Sequence, residues 1–181
     1  MKKIVIILLL VSALFFTGCS LTENMDNTPT KKVEALLNKY QMLDIDVLND
    51  LDNVVDKQID FSNKQRDEYK DIIKRNYQKL TYTIKDELVD GDTAEVETEI
   101  EVIDHTKIVS EANAYLRDNP NEFLTDNKYD NNLFIDYKLK KLKETKEKVK
   151  YTLVFKLTKV EDEWKIDSLT EEMRDKINGI Y

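Results

Sequence analysis

Residues 81–102, TYTIKDELVDGDTAEVETEIEV, contain two stretches in which apolar and polar side chains alternate. Alternation with a period of two is typical of a β-strand that buries one face. The pair Asp90-Gly91 separates the stretches and favours a tight turn. The sequence therefore predicts a β-hairpin. Its apolar face comprises Tyr82, Ile84, Leu88, Ala94, Val96, Thr98, Ile100 and Val102.

The pairing of these strands depends on the length of the turn. A two-residue turn at Asp90-Gly91 would place Ile84 opposite Glu97, which puts core and solvent side chains on one side of the sheet. A three-residue loop of residues 89–91, with its glycine in the left-handed conformation, instead pairs Ile84 with Val96. The apolar pattern favours the three-residue loop.

A second hairpin is predicted near the C-terminus. Apolar side chains alternate again over residues 149–157, and Glu161-Asp162 favours a tight turn. Trp164 and Ile166 then return on the same face by parity. The two hairpins together predict an antiparallel sheet.

Three helices are predicted before the first strand. Apolar side chains recur at spacings of three and four in residues 33–40, 47–55 and 69–80. The third helix is preceded by Ser62 and Gln65, which have the spacing of a capping box. The chain therefore begins its folded part with helices only.

Helical patterns also occur between the hairpins and at the end of the chain. Residues 108–116 carry one apolar stripe, and a lysine-rich helix is expected over residues 131–146. Ser168 and Glu171 have a second capping-box spacing and predict a short C-terminal helix. The expected fold class is α+β, with a helical insertion between the two hairpins.

This order of elements resembles the NTF2-like (cystatin-like) α+β superfamily. The resemblance covers residues 31–170 and rests on VDGDTA at residues 89–94 and EWKID at residues 163–167. The sequence differs from the family pattern in its helical insertion, residues 106–147, and in lacking a strand between the early helices. The resemblance implies three N-terminal helices packed on a strongly curved sheet, with a cavity that some members use for small molecules and others for catalysis.

The first nineteen residues have the parts of a bacterial signal peptide. Two lysines precede a run over residues 4–16 that is apolar except for Ser12, and the small Gly18 comes directly before Cys19. A helix of this run would span roughly 20 Å, less than the ~30 Å hydrocarbon core, so a permanent membrane span is not expected. The segment resembles the lipobox of bacterial lipoproteins, with Phe16 where the family usually has leucine.

The lipobox resemblance implies that residues 1–18 are removed and that Cys19 receives a diacylglyceryl lipid. Two acyl chains anchor a protein stably, whereas one chain is marginal. Residues 19–30 are short, polar and unpatterned, which predicts a flexible tether before a single domain at residues 31–181. The chain is thus expected at the cell membrane, lipid-anchored and facing the outside, like small lipoproteins of low-GC Gram-positive bacteria.

Composition excludes several function classes. The chain has 28 basic and 36 acidic side chains, and removal of Lys2 and Lys3 leaves 26 basic ones and a net charge of −10. Such an acidic chain is not expected to bind nucleic acid. Cys19 is the only cysteine, so an intramolecular disulfide is excluded. No P-loop, nucleotide-binding glycine turn or nucleophile elbow is present, and no cofactor or metal is expected.

Two carboxylates, Asp86 and Asp104, fall on the apolar parity of the predicted strands. A carboxylate in an apolar cavity has a raised pKa and can act as a general base beside a tyrosine donor. The candidate pocket consists of Tyr82, Asp86, Asp104, Tyr151 and Trp164. The favoured alternative is that each strand bulges or reaches the rim of the sheet there, so that the carboxylate faces water.

His105 is the only histidine and is expected at an exposed strand end. Any Ser-His-Asp or Cys-His arrangement must therefore use His105, and a histidine-rich or cysteine-rich metal site is excluded. Its neighbour Asp104 does not assist it, because adjacent strand residues point to opposite faces.

Four glutamates form a row on the polar face of the second strand. Same-face neighbours on a strand are about 6.8 Å apart, too far for a bare row to chelate calcium well. Ion pairs with lysines of the neighbouring strand are expected instead. The glutamates are Glu95, Glu97, Glu99 and Glu101, and the lysines are Lys148, Lys150 and Lys156.

A basic patch is predicted on the lysine-rich helix. It could contact anionic lipid or a phosphate-rich wall polymer near the anchor. The favoured alternative is a solvated helix face whose lysine stems cover apolar side chains. The patch comprises Lys138, Lys140, Lys141, Lys143 and Lys146.

The leading functional hypothesis is a non-enzymatic binding or scaffolding module at the outer face of the membrane. Its expected partner is an envelope protein, a wall polymer or a small ligand. Two alternatives remain open, namely an NTF2-like cavity enzyme that uses a buried aspartate and a stress or immunity lipoprotein.

Overall fold

The structure is a computed structural model that describes residues 27–181. Within that range the fold is α+β, with six α-helices, a four-stranded antiparallel sheet and a small two-stranded sheet. Cys19, the predicted signal peptide and most of the predicted tether lie outside the described residues. No helix in residues 27–181 is long and apolar enough to cross a bilayer.

The elements follow one another in an order close to the predicted one. The helices are α1 Pro29–Met42, α2 Ile45–Asp56, α3 Asn63–Lys79, α4 His105–Asp118, α5 Asn131–Glu144 and α6 Glu171–Asn178. The strands are β1 Thr81–Asp90, β2 Thr93–Ile103, β3 Leu124–Thr125, β4 Lys128–Tyr129, β5 Lys148–Val160 and β6 Glu163–Ile166. A 3₁₀ turn, Pro120–Phe123, follows α4. The main sheet has the order β1-β2-β5-β6.

Helix caps explain where the helices begin. The capping box of Ser62 and Gln65 is present at α3, as predicted. Helix α1 begins at Pro29 with Thr28 as its N-cap, two residues before the predicted start of the domain at residue 31. The second capping box was predicted wrongly, because α6 is capped by Thr170, two residues after Ser168.

The predicted register of the first hairpin is wrong. The turn contains Gly91 and Asp92, so Asp90 pairs with Thr93, and Ile84 pairs with Thr98 rather than Val96. The pairing shifts between Ile84 and Asp86, which leaves Lys85 as a bulge. The bulge changes the side-chain parity of β1, so Tyr82 and Ile84 stay on the inner face, whereas Leu88 pairs with Glu95 on the outer face and is exposed. The predicted place of Leu88 on the apolar face is therefore wrong.

The main core lies between the inner face of the sheet and the helices. Helices α1 and α3 both contact β2, and α3 also contacts α2, α5 and α6. The fully buried side chains include Leu37, Ile73, Val96, Ile100 and Phe155. A smaller apolar cluster around Ala112, Phe123 and Phe134 joins α4 to α5 within the insertion.

The C-terminal segment after α6 packs against the core and is hydrogen-bonded to it. The buried Asn76 side chain accepts a hydrogen bond from the Ile103 backbone N–H at 2.8 Å and donates one to the Ile177 carbonyl at 3.0 Å. Gly179 has a positive φ of 71° and lies against Ile103, whose carbonyl oxygen would overlap any added Cβ. The Gly179 carbonyl accepts a hydrogen bond from the His105 backbone N–H at 2.9 Å.

We expect Gly179→Ala to destabilise the fold by more than Gly91→Ala does. Both glycines have positive φ, but a Cβ at Gly91 would meet nothing within 4 Å. Gly91→Ala should therefore cost only about 1–2 kcal/mol for the left-handed conformation, whereas Gly179→Ala adds a steric overlap. Urea unfolding followed by circular dichroism measures both changes. Equal losses for the two variants would contradict this packing of the C-terminal segment.

Candidate functional site

Tyr82 and Tyr151 lie in one cross-strand row on the inner face of the sheet. Both pair with Ile100, which lies between them and is fully buried. The Tyr82 hydroxyl donates to the Asn38 side chain at 3.1 Å, and the Tyr151 hydroxyl donates to the Tyr181 carbonyl at 3.0 Å. Each hydroxyl therefore joins the sheet to a different part of the chain.

Asp86 is not on the apolar face. The bulge at Lys85 turns its side chain to the solvent side, where it is exposed and lies opposite Glu97. The prediction that Asp86 follows the apolar parity is wrong for this reason, and the alternative that the strand bulges is confirmed.

Asp104 marks the end of β2 and caps the next helix. Its carboxylate accepts a hydrogen bond from the Lys107 backbone N–H at 2.9 Å, and its own N–H donates to the Glu147 carbonyl at 2.9 Å. An N-cap carboxylate stabilises the first turn of a helix. This contact accounts for Asp104 without a catalytic role.

Trp164 belongs to the main core and lies beside the start of the domain. Its ring is packed in the core with 8% of the residue exposed, and its backbone N–H donates to the Asn27 side chain at 3.1 Å. The Asn27 amide in turn donates to the Asp162 carbonyl at 2.8 Å. Asn27 therefore fixes the first described residue to the turn between β5 and β6. Sequence reasoning missed this contact, since Asn27 has no partner near it in the chain.

The five residues of the predicted pocket do not form one site. Tyr82 and Tyr151 share a row, but Asp86 is on the opposite face and Asp104 is a helix cap. Trp164 pairs with Lys159 at the other end of β5 from Tyr151. The structure therefore does not bring a carboxylate and a tyrosine together in an apolar cavity at these positions.

Cross-strand ion pairs cover the outer face of the sheet, as predicted. Lys148 contacts Glu101 at 2.9 Å, and Lys150 contacts Glu99 at 3.0 Å. The Lys150 hydrogen bond lowers the pKa of Glu99. Lys156 contacts Glu95 at 3.6 Å. Within residues 27–181, no group of three or more acidic, histidine or cysteine side chains could hold a metal ion.

The lysines of the predicted basic patch differ in their exposure and in their ion pairs. Lys138 is half-buried, and its ammonium lies 5.4 Å from the centroid of the Phe61 ring. Lys143 contacts Glu68 at 3.6 Å. Of the five lysines in the patch, only Lys140, Lys141 and Lys146 are exposed and form no ion pair with a described side chain.

His105 is buried, so its predicted exposure is wrong. Strand β2 ends at Ile103 and α4 begins at His105, so the ring turns inward as the first residue of a helix. The residue is 1% exposed, and neither ring nitrogen has a hydrogen-bond partner of good geometry in the described part of the chain. Burial lowers the pKa of His105 from 6.5 to about 4, and Arg75 adds to this effect. The Asn178 backbone and the Asp104 carboxylate oppose it.

A cavity of about 320 Å³ lies next to His105. The loop before α3 and the first turn of α4 form two sides of it, and α5 forms a third. Lys138 contributes the only charged side chain of its lining. The cavity is lined by Gln58, Phe61, Tyr69, His105, Thr106, Val109, Lys138, Leu142 and Ile180. Sequence reasoning missed this site, because it depends on how the insertion packs against α3.

Comparison of the chain with protein-family models, curated proteins and solved structures found no match in any of the three. The cavity beside His105 combines a buried imidazole, a desolvated ammonium and apolar walls, which is a typical composition for a small-ligand site.

We expect the stability of the fold to decrease as the pH falls from about 6.5 to about 4, in a manner that depends on His105. The folded-state pKa of about 4 lies below the ordinary value of 6.5, so the unfolded chain binds the proton first. The loss attributable to His105 reaches at most about 3 kcal/mol below the folded-state pKa. Urea unfolding at a series of pH values measures it.

The control for this experiment is the His105→Gln variant. Carboxylates titrate in the same range in both proteins, so the informative quantity is the difference between them. The unfolding free energy of the wild type should fall more steeply than that of the variant between pH 6.5 and 4. Parallel curves would contradict the buried, neutral state of His105.

Proposed function

We propose that this protein is a lipid-anchored, extracytoplasmic and non-enzymatic binding module. The lipobox-like segment ending at Cys19 supports the anchor. The composition of the His105 cavity supports a binding role. The proposed location is the outer face of the cell membrane.

The observation that carries the proposal is the attachment of Asn27 to the β5–β6 turn. Asn27 is eight residues after Cys19, so the extended chain between them reaches at most roughly 29 Å. The domain would therefore stay close to its lipid anchor. We name the end of the sheet that holds Asn27 the tether end.

The tether end is acidic. The Lys159 backbone N–H donates to the Asp92 carbonyl at 2.8 Å, so the turns of both hairpins lie there side by side. The exposed side chains of these turns are Asp90, Asp92, Glu161, Asp162 and Glu163. An anionic membrane surface repels such a cluster, which would hold the domain away from the lipid headgroups.

The exposed lysines of the predicted basic patch that have no ion pair, Lys140, Lys141 and Lys146, lie towards the opposite end of the sheet. Strand β2 runs from the tether end to Ile103 over eleven residues, a length of roughly 34 Å. Ile103 pairs with Lys148, two residues after Lys146, so the end of α5 lies at this far end. We therefore propose that the lysines face away from the membrane, in contrast to the hypothesis that they contact lipid.

We also propose that the domain is NTF2-like. Three helices precede the sheet, the sheet order β1-β2-β5-β6 joins two hairpins through β2 and β5, and the insertion falls between them. These features agree with the resemblance stated for the sequence.

Lipidation at Cys19 is tested by growth with an alkyne-tagged fatty acid, followed by mass spectrometry of the N-terminal peptide. We expect the tag on a mature chain that begins at Cys19, and its complete loss in Cys19→Ala. Ser20→Ala is the matched control and should keep the tag. A tag that persists in Cys19→Ala, or a mature chain that begins elsewhere, would show that the proposed anchor is wrong.

The proposed orientation is tested with residues 19–181 carrying Cys19→Ala, which lack the lipid. We expect no salt-sensitive binding to vesicles rich in phosphatidylglycerol, because the chain has a net negative charge and its tether end is acidic. A variant with Lys140→Gln, Lys141→Gln and Lys146→Gln should behave identically in co-sedimentation. Vesicle binding that this variant loses would instead assign the lysines to the membrane.

A further inference from the structure

We propose that the cavity beside His105 binds a small monocarboxylate with an apolar tail. The carboxylate would lie between the Lys138 ammonium and the His105 imidazole, and the tail would lie against the apolar wall. This inference rests on the binding role proposed above and is independent of the lipid anchor.

The first observation is the position of Lys138. Its ammonium lies 5.4 Å from the centroid of the Phe61 ring and 5.7 Å from that of Phe134. No acidic side chain of the described residues lies within ion-pair distance of it. Burial lowers the pKa of Lys138, and the Asp60 carboxylate, which forms no ion pair with it, opposes this effect. A cation that has lost part of its hydration without gaining an anion is a favourable partner for an incoming carboxylate.

The second observation is the unpartnered imidazole of His105. The residue is 1% exposed, lines the cavity, and has no hydrogen-bond partner of good geometry for either ring nitrogen within residues 27–181. A neutral imidazole carries one N–H, which donates to an oxygen. Both ring nitrogens are shielded from water, and the Asn178 backbone, which raises the pKa of His105, makes no hydrogen bond of good geometry with them. Buried polar groups usually have partners, so a ligand oxygen that reaches the ring after movement of the covering side chains would satisfy a group that the protein leaves unpaired.

The apolar walls of the cavity determine the chemistry of the ligand's tail. Phe61, Val109, Leu142 and Ile180 supply apolar surface. Burial of an alkyl tail against such surface is favourable by about 25 cal/mol for each Å² removed from water. A small polar anion would leave this surface unused.

The charge of the site selects among anions. Lys138 is the only charged residue in the lining, so one negative charge is balanced and a second is not. A phosphate dianion is therefore disfavoured, because an uncompensated charge is costly away from water. A metal cation is disfavoured by the Lys138 ammonium.

The test is isothermal titration calorimetry with sodium octanoate and residues 19–181 carrying Cys19→Ala. This chain lacks only the proposed signal peptide and the lipid, and it retains every residue that the structure describes. We expect saturable one-to-one binding, which should be at least about tenfold weaker for 1-octanol, since the alcohol has the tail without the charge. Equal affinity for the two probes, or no saturable octanoate binding, would overturn the proposal.

Lys138→Met tests the position of the carboxylate. Methionine keeps the apolar stem and removes the ammonium, so octanoate binding should weaken by at least about tenfold. The matched control, Lys140→Met, removes an exposed charge from the same helix and should leave the affinity unchanged. Unfolding measurements on both variants identify any loss of fold, and a folded Lys138→Met with wild-type affinity would overturn the proposal.

His105→Gln provides the second variant. Its side-chain amide retains an N–H donor, so it should bind octanoate more strongly than His105→Leu, which has none. Equal binding by these two variants would overturn the imidazole contact. Failure of octanoate binding would leave the lipid tag at Cys19 unaffected, and loss of the tag would leave octanoate binding unaffected, so the two proposals can fail separately.

Discussion

The Asn76 side chain holds together the parts of the fold that depend on distant segments. It is fully buried in α3 and bonds both the end of β2, at Ile103, and the last turn of α6, at Ile177. The adjacent Tyr77 hydroxyl donates to the Asn178 side chain at 2.6 Å. A buried amide is favourable only when its partners are present, so this junction fixes the relative positions of three elements.

The cavity beside His105 is a consequence of that junction. Since Gly179 lies against Ile103 and accepts the His105 N–H, the first residue of α4 begins inside the protein and not at its surface. The ring is then enclosed by α3, α5 and the C-terminal segment. Its nitrogens lack the hydrogen bonds that water would provide. The junction around Asn76 therefore also determines the polarity of the candidate binding site.

Local signals in the sequence were sufficient for most of the fold. The helix at residues 63–79 follows from its apolar spacing and from a capping box within four residues, and both are confirmed. The strand at residues 148–160 and its turn at Glu161-Asp162 follow from alternation, and the turn has positive φ at both residues. These patterns succeed because the interactions behind them join neighbours in the chain.

The sequence-based predictions are wrong where distant contacts or a single irregular residue determine the structure. A single bulged residue, Lys85, reversed the parity of β1 and moved Asp86 to the solvent side. The sequence pattern places Asp104 in a continuation of β2, but its carboxylate caps α4. Because the start of α4 at His105 was not predicted, the burial of the His105 ring was not predicted either. The candidate site could not be predicted because Lys138 and Phe61 come together only through packing of the insertion against α3.

The central claim, a neutral and unpartnered His105 facing a ligand cavity, can be tested directly by proton NMR. His105 is the only histidine, so its imidazole resonances need no assignment by mutation. We expect a Hε1 shift that stays constant from pH 8 to 5, moves only towards pH 4, and changes at pH 7 when octanoate is added. Titration with a midpoint near 6.5, together with no response to octanoate, would contradict it.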